Sequence, residues 1–198
     1  FNMDKTSENE KNFDEREKAK KISNYLKTNH FETEVNFSDM ENCIDKLIWH
    51  LEDPRVGQSY PNYYASKLSS NHVKVVLSGT GGDELFAGYP WRYLRNYDTA
   101  QNDENFYDKY YQYWQRLVDN KDLRKIFNPI WNEVKDIWTK DIFKNVFKKD
   151  NLSINSNEKF INQSLYFEAK TFLHGLLVVE DRLSMAHGLE TRLPFLDN

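Results

Sequence analysis

The segment Ser78-Gly-Thr-Gly-Gly-Asp-Glu84 places three glycines directly before a pair of carboxylates. It follows the apolar run Val73–Leu77, which predicts a buried parallel strand. In open α/β sheets, ligands gather at the carboxyl ends of the strands. Glycines let backbone N–H groups converge on an anion, and the start of the following helix adds partial positive charge. The segment therefore predicts an anion site at the end of a strand.

The segment matches neither of the two common phosphate signatures. No lysine follows the glycines as a P-loop requires, and the dinucleotide fingerprint would need glycine where Glu84 stands. Two carboxylates repel a phosphate unless a cation lies between them. Mg²⁺ held by carboxylate and phosphate oxygens would satisfy both groups. From these residues alone, a tight turn in which Asp83 only caps the next helix stays open as an alternative.

Composition and charge exclude several classes of protein. The net charge of -4 and the pI near 5.8 do not favour nucleic-acid binding through bulk charge. No apolar run approaches the roughly 18 residues of a membrane helix. Cys43 is the single cysteine, which excludes an internal disulfide framework and predicts a reducing, cytoplasmic location. The five histidines are scattered without the spacing of a zinc site.

The first ninety residues predict alternating helices and strands that would carry the glycine segment. This order is typical of an α/β fold, in which the segments form part of a doubly wound parallel sheet. Because two strands do not make a stable sheet by themselves, we expect the missing strands to precede Phe1. The predicted elements are a helix from Asp14 to Thr28, a strand over Phe31–Phe37, a helix opened by a capping box at Ser38–Glu41, a helix starting near Pro61 and the strand Val73–Leu77.

The second half of the chain changes character. Between Asn96 and Phe160 glycine disappears and aromatic residues accumulate. The aromatic stripe from Tyr107 to Val118 has helical spacing, and we interpret it as a packing face rather than a base-stacking platform. An apolar helical segment follows and is predicted to end near Val179. The charges at Glu180–Arg182 then indicate either a solvated helix end or a site.

Two long motifs together resemble one known family. Val75–Tyr89 resembles the pyrophosphate-loop region of the synthetase domain of asparagine synthetases, and Glu180–Asp197 looks like a second segment of that domain. The spacing of the two motifs along the chain also fits, and the resemblance spans nearly the whole chain. It implies a sheet like that of the adenine-nucleotide alpha hydrolases, doubly wound and parallel, with a mostly helical remainder.

The resemblance also implies how the chain is organised. Residues 1–95 would be the C-terminal part of the ATP-pyrophosphatase α/β core. Residues 96–160 would form an aromatic-rich helical region, and residues 161–198 would be C-terminal helices that carry the second motif. Together these segments would belong to one synthetase domain.

The function that the resemblance implies is ATP-dependent amide formation. Aspartate, or a related carboxylate, would be activated as an acyl-adenylate, and ammonia from a glutaminase domain would displace AMP. ATP and Mg²⁺ would be required. No nucleic-acid or membrane partner is implied, and a homodimer is left open.

The resemblance assigns roles to individual residues. Asp83 would lie at the Mg²⁺–pyrophosphate, and Arg182 stands where several family members have a phosphate-gripping lysine. Thr80 departs from the family glutamate that is linked to forming the aspartyl-adenylate, so the identity of the acceptor carboxylate is open. The residues expected to bind the nucleotide are Leu77, Ser78, Gly79, Gly81 and Gly82.

Two features of the family are missing from these residues. Neither its S-G-G-x-D-S pyrophosphate loop nor a glutaminase domain with an N-terminal cysteine is present, and Cys43 stands in the wrong context for that nucleophile. We expect both features upstream of Phe1, and expect these residues alone to be inactive. Two other readings stay open: a nucleotide- or phosphate-binding module without catalysis, and a helical interaction domain that keeps the motifs for packing.

Overall fold

The computed structural model describes residues 14–52, 59–93, 102–115, 118–147 and 156–197. The chain divides into two compact units, one of residues 1–79 and 176–198 and the other of residues 80–175. No helix in the described ranges is both long enough and apolar enough to cross a membrane. The helices are α1 (Arg16–Leu26), α2 (Phe37–Leu51), α3 (Ser59–Ser70), α4 (Gly82–Phe86), α5 (Pro90–Tyr93), α6 (Asp103–Trp114), α7 (Leu123–Ile126), α8 (Trp131–Val134), α9 (Thr139–Val146), α10 (Ser156–Lys170) and α11 (Phe172–Met185). The strands are β1 (Val75–Leu77) and β2 (Glu190–Arg192), and short 3₁₀ turns lie at Asn120–Asp122, Asn128–Ile130 and Pro194–Leu196.

The first unit has a core in which α2 and α3 pack with the C-terminal part of α11. Leu47 and Leu183 lie at its centre without exposed surface. Cys43 lies in the same core, and burial raises the pKa of its thiol. The burial of Cys43 in this core is consistent with a packing role for its side chain. The buried side chains are Val35, Cys43, Leu47, Leu51, Tyr60, Tyr63, Val179 and Leu183.

The described strands form one parallel pair. Val75 lies opposite Glu190 and Leu77 lies opposite Arg192. The α/β character and the predicted strand at β1 are confirmed, but in the described ranges the sheet has two strands and the doubly wound arrangement is not seen. The expected burial of the strand was wrong, because the side chain of Leu77 is 69% exposed.

The predicted strand over Phe31–Phe37 was wrong. Residues 28–36 have no regular structure, and Phe37 already belongs to α2. Alternating apolar residues suit a strand only where a neighbouring strand accepts its hydrogen bonds, and within the described ranges this segment has none. The ring of Phe31 instead stacks on His72 with centroids 3.8 Å apart.

A capping box opens α2, but two residues before the predicted one. The Asn36 side chain accepts from the Ser38 N–H at 2.9 Å and from the Asp39 N–H, and the Asp39 carboxylate accepts from the Asn36 N–H at 2.8 Å. Asparagine caps a helix at least as well as serine, which explains the shift from Ser38 and Glu41 to Asn36 and Asp39. Such a cap contributes about 1 kcal/mol to stability.

The second unit is held together by an aromatic core between α6, α9 and α10. Phe106 and Tyr110 are fully buried, with ring centroids 5.3 Å apart. Phe160 stacks on Phe106 at 4.8 Å. Aromatic pairs of this kind add about 0.5–1.5 kcal/mol beyond the burial of their area. The prediction that the stripe is a packing face is confirmed for its part in α6, from Tyr107 to Trp114. Residues 116–117 lie outside the described residues.

The helix of the second motif is longer than predicted. α11 continues past Val179 to Met185, so Asp181 and Arg182 lie within it rather than beyond its end. Val179 and Leu183 are one turn apart and both buried. The helix continues because they extend its core face, while the charges occupy the other face.

Candidate nucleotide-binding site

The glycine segment begins at the carboxyl end of β1. The N–H of Ser78 donates to the carbonyl of Arg192 at 2.9 Å, which extends the β1–β2 pairing by one hydrogen bond. The start of the first motif is therefore joined to the strand of the second motif. Within the first unit, strand pairing thus joins Val75–Ser78, the start of the first motif, to β2 of the second motif.

In the glycine segment, Gly79 is exposed and Gly81 lies in a tight turn. A Cβ added to Gly79 would meet no atom within 4 Å. Thr80 and Gly81 form a turn, and Gly81 has φ of 93°, a left-handed conformation that favours glycine. The division between the two units falls between Gly79 and Thr80. Packing within the described residues therefore does not explain Gly79, whereas the turn does explain Gly81.

The helix that follows the segment is short. α4 has five residues, and its first hydrogen bond runs from the Leu85 N–H to the Gly81 carbonyl at 3.0 Å. The N–H groups of Gly82 and Asp83 precede that bond and take no part in the helical ladder. The dipole of so short a helix is small, so its expected positive charge is weaker than the sequence suggested.

The Asp83 side chain lies against a second glycine. The N–H of Gly88 donates to the Asp83 backbone carbonyl at 2.8 Å. A Cβ on Gly88 would stand only 2.0 Å from Asp83 Oδ1. Asp83 is exposed, and its carboxylate occupies the space that a side chain at position 88 would need.

The second carboxylate of the pair, Glu84, is buried. Glu84 is 2% exposed and accepts a hydrogen bond from the Tyr89 hydroxyl at 3.1 Å. Burial, together with the charges of Glu84 and Asp83, raises the pKa of Tyr89. The Tyr89 hydroxyl therefore stays protonated and available as a donor. Of the two carboxylates, Asp83 is the exposed one.

Arg182 has partners that the sequence did not predict. Its Nη1 donates to the Leu51 carbonyl and lies 3.2 Å from Glu52 Oε2. Leu51 and Glu52 stand at the end of α2, where a cation interacts favourably with the unpaired carbonyls. In the structure, the carboxylate paired with Arg182 is that of Glu52.

Sequence reasoning missed a buried carboxylate in the second unit. Glu168 lies in α10 with no exposed surface and accepts hydrogen bonds from Tyr110 at 2.9 Å and Arg92 at 3.1 Å. Burial raises the pKa of Glu168, and the hydrogen bonds from Tyr110 and the charge of Arg92 oppose that rise. A glutamate within the broadly apolar stretch from Leu165 to Val178 was the signal that could have revealed it.

The described residues contain no group of three or more His, Cys, Asp or Glu side chains that could hold a metal by themselves. Mg²⁺ is commonly held by one or two carboxylates together with substrate phosphates. The exposed carboxylate of Asp83 fits that smaller donor set.

Comparison with known proteins identifies a family. The asparagine synthase family matches residues 1–198, which is the whole chain. No solved structure matches the chain.

Individual relatives carry related names. Asparagine synthetase (glutamine-hydrolyzing) 1 of Bacillus subtilis strain 168 is 26% identical over 219 residues, covering 93% of this chain and 33% of that protein. A putative asparagine synthetase (glutamine-hydrolyzing) 2 of Methanocaldococcus jannaschii is 40% identical over 78 residues, covering 39% of this chain and 15% of that protein. Asparagine synthetase (glutamine-hydrolyzing) 3 of Arabidopsis thaliana is 32% identical over 95 residues, covering 46% of this chain and 16% of that protein. The matched regions thus span 33% or less of these relatives.

Proposed function

The chain belongs to the asparagine synthase family, and on that premise we propose that it is the nucleotide-binding part of an ATP-dependent amide ligase. The substrate carboxylate is aspartate or a related acid, and the nitrogen is ammonia derived from glutamine. The observation that carries the proposal is the loop after β1, in which Gly79 has open space where a Cβ would stand, Gly81 adopts a left-handed conformation and Asp83 is exposed.

The chemistry is an activation followed by a substitution. A carboxylate oxygen of the acceptor attacks the α-phosphorus of ATP, and the bond from that phosphorus to the pyrophosphate oxygen breaks. Ammonia then attacks the acyl carbon, AMP leaves with the electrons of the C–O bond, and the nitrogen loses a proton. The protein must stabilise the charge that develops on pyrophosphate in the first step.

The loop supplies backbone donors for that charge. Leu77, Ser78 and Gly79 contact the nucleotide, and the N–H groups of Gly81 and Gly82 face the phosphates. Gly79 leaves room for this approach, because no protein atom lies where its Cβ would stand. A close approach of backbone to ligand is a common reason for a glycine that packing does not require.

Asp83 is the residue that would hold Mg²⁺, with phosphate oxygens completing the shell. When bound, the ion neutralises charge on the phosphate oxygens of the leaving pyrophosphate. Asp83 is suited to this role because its carboxylate is exposed, whereas Glu84 is buried and engaged by Tyr89.

Arg182 would bind phosphate by exchanging one partner. Its pair with Glu52 is exposed, with the Glu52 side chain 75% accessible, and such pairs contribute about 0–1 kcal/mol. Releasing Glu52 for a phosphate oxygen therefore costs little. The planar guanidinium suits phosphate because it donates two parallel hydrogen bonds.

Thr80 bears on which carboxylate is the acceptor. It is half-buried in the turn of the loop, where the family glutamate is linked to the aspartyl-adenylate. A hydroxyl in place of that carboxylate changes the charge beside the acceptor. We therefore expect Thr80 to affect the choice of carboxylate more than the binding of ATP.

The deciding experiment measures pyrophosphate release by the full-length protein with ATP, Mg²⁺ and ammonia, with aspartate and other carboxylic acids tested in turn. Release that depends on one carboxylate, with an amide product, supports the proposal. Binding of ATP without release for any acid would leave a nucleotide-binding module instead. A Thr80→Glu variant tested in parallel should change the ranking of acids while its Kd for ATP stays close to that of the wild type.

A further inference from the structure

Glu168 is a charged group in the middle of an aromatic core. Its carboxylate accepts hydrogen bonds from Tyr110 at 2.9 Å, from Arg92 at 3.1 Å and from Tyr93 at 3.4 Å. Taking a carboxylate out of water costs several kcal/mol, and apolar residues of similar volume often serve a core equally well. Core stability alone is therefore a weak reason for a glutamate at this position.

Arg92 links this carboxylate to the end of the first motif. The side chains of Arg92 and Glu168 are 11% and 0% exposed, so the pair is largely shielded from solvent. The guanidinium carbon lies 3.9 Å from the centroid of the Tyr89 ring and 4.5 Å from that of Phe172. Stacking of this kind needs the planar guanidinium, which lysine lacks. By bonding the Arg92 guanidinium, Glu168 thus holds the plane against which the Tyr89 ring stacks.

Tyr89 continues the connection to the carboxylate pair. Its hydroxyl donates to Glu84 at 3.1 Å, and Glu84 is the neighbour of Asp83 in α4. The turn before Tyr89 contains Gly88, whose N–H bonds the Asp83 carbonyl at 2.8 Å. A displacement of Tyr89 would therefore move both the helix that carries Asp83 and the turn beneath its carboxylate.

We propose that Glu168 is a positioning residue for the nucleotide site. Through Arg92 and Tyr89 it fixes the orientation of the Asp83–Glu84 pair, and so sets how well the loop takes a magnesium–nucleotide. The inference rests on the proposed function in one respect only, namely that Asp83 meets the cation. Its structural part, the control of loop geometry by Glu168, is independent of any ligand.

The test uses the full-length protein with three substitutions along this path and one matched control. Glu168→Gln keeps the volume and removes the charge that holds Arg92. Arg92→Lys keeps the charge and removes the plane beneath Tyr89, and Tyr89→Phe keeps the ring but removes the hydroxyl that bonds Glu84. The control, Tyr111→Phe, removes a hydroxyl from the same helix as Tyr110, where it bonds Asn120 and Thr139 and does not touch Glu168.

Steady-state kinetics provide the first measurement. Each path variant should raise the KM for magnesium–ATP by about tenfold, the order expected for losing one charge-assisted hydrogen bond, while the KM for the acceptor acid is unchanged. The control should stay within about twofold of the wild type for both substrates. The Glu168 and Arg92 variants could instead have a lowered Tm and an unchanged KM for magnesium–ATP. That result would show that Glu168 only stabilises the core, and it would overturn the inference.

Hydrogen exchange without nucleotide provides the second measurement. Glu168→Gln and Arg92→Lys should speed amide exchange in residues 80–89, whereas the Tyr111 control should not. If the wild type fails to bind ATP in calorimetry, the proposed function falls, and exchange then decides the positioning role alone. Unchanged exchange in residues 80–89 of both path variants would refute that role.

Discussion

Gly79 and Gly81 provide a direct test of the loop because the backbone conformation of Gly81 disfavours a Cβ, whereas that of Gly79 tolerates one. An alanine at Gly81 must adopt φ near 93°, a left-handed conformation. The clash of a Cβ with the following carbonyl there costs roughly 1–2 kcal/mol. An alanine at Gly79 meets no atom within 4 Å, and its φ lies outside the positive range. It should leave the stability unchanged or raise it by about 0.5 kcal/mol, because the unfolded chain loses freedom.

The expected difference between the two variants is therefore about 2 kcal/mol in the free energy of unfolding. With a urea dependence of about 2 kcal/mol per molar, the unfolding midpoints would differ by about 1 M. Tryptophan fluorescence during urea titration measures this difference. Calorimetric titration with magnesium–ATP measures the second effect, in which Gly79→Ala weakens binding because its methyl group occupies the space proposed for a phosphate.

Two outcomes would refute the reasoning. A Gly81→Ala variant that unfolds at the wild-type urea concentration would show that the left-handed turn is not formed. A Gly79→Ala variant that binds magnesium–ATP as tightly as the wild type would show that phosphate does not approach this glycine.

Three further predictions concern neighbouring groups. Arg182→Ala should lower the free energy of unfolding, measured in thermal melts, by about 1 kcal/mol, because a charged donor to the end of α2 is lost. Glu52→Gln should lower it by less than about 0.5 kcal/mol. Equal losses in the two variants would contradict the capping role of Arg182. Gly88→Ala should raise the Mg²⁺ concentration needed for half-maximal ATP binding, because the new Cβ would stand 2.0 Å from Asp83 Oδ1 and displace that carboxylate. An unchanged Mg²⁺ dependence in calorimetry would argue against Asp83 as the ligand. Because burial raises the folded-state pKa of Glu168 above 4.5, its contribution to stability is present below pH 4.5 and is lost as the pH rises through the folded pKa. Glu168→Gln should therefore flatten the fall in Tm as the pH rises above 4.5, and an equally steep fall in both proteins would contradict the shift.

The sequence by itself determined the features that depend on neighbouring residues. A capping pattern predicted that a helix begins near Ser38, and the spacing of aromatic residues predicted the packing face of α6. The glycines left a tight turn before the next helix as one alternative. These predictions succeeded because helical periodicity and turn geometry depend on a few consecutive residues. The cap of α2 was missed by two residues because Asn36 and Ser38 offer the same chemistry, and packing decides which one begins the helix.

The tertiary structure decided the features that join distant parts of the chain. The Phe31–Phe37 segment alternates like a strand but has no strand beside it, whereas Glu190–Arg192 gave no signal and yet pairs with β1. The pair of Arg182 with Glu52 spans 130 positions of sequence, and that of Arg92 with Glu168 spans 76. A local pattern indicates that a side chain is charged or that a segment is extended. The partner that satisfies a buried charge or a strand edge is set only when the whole chain packs, because many arrangements share the same local pattern.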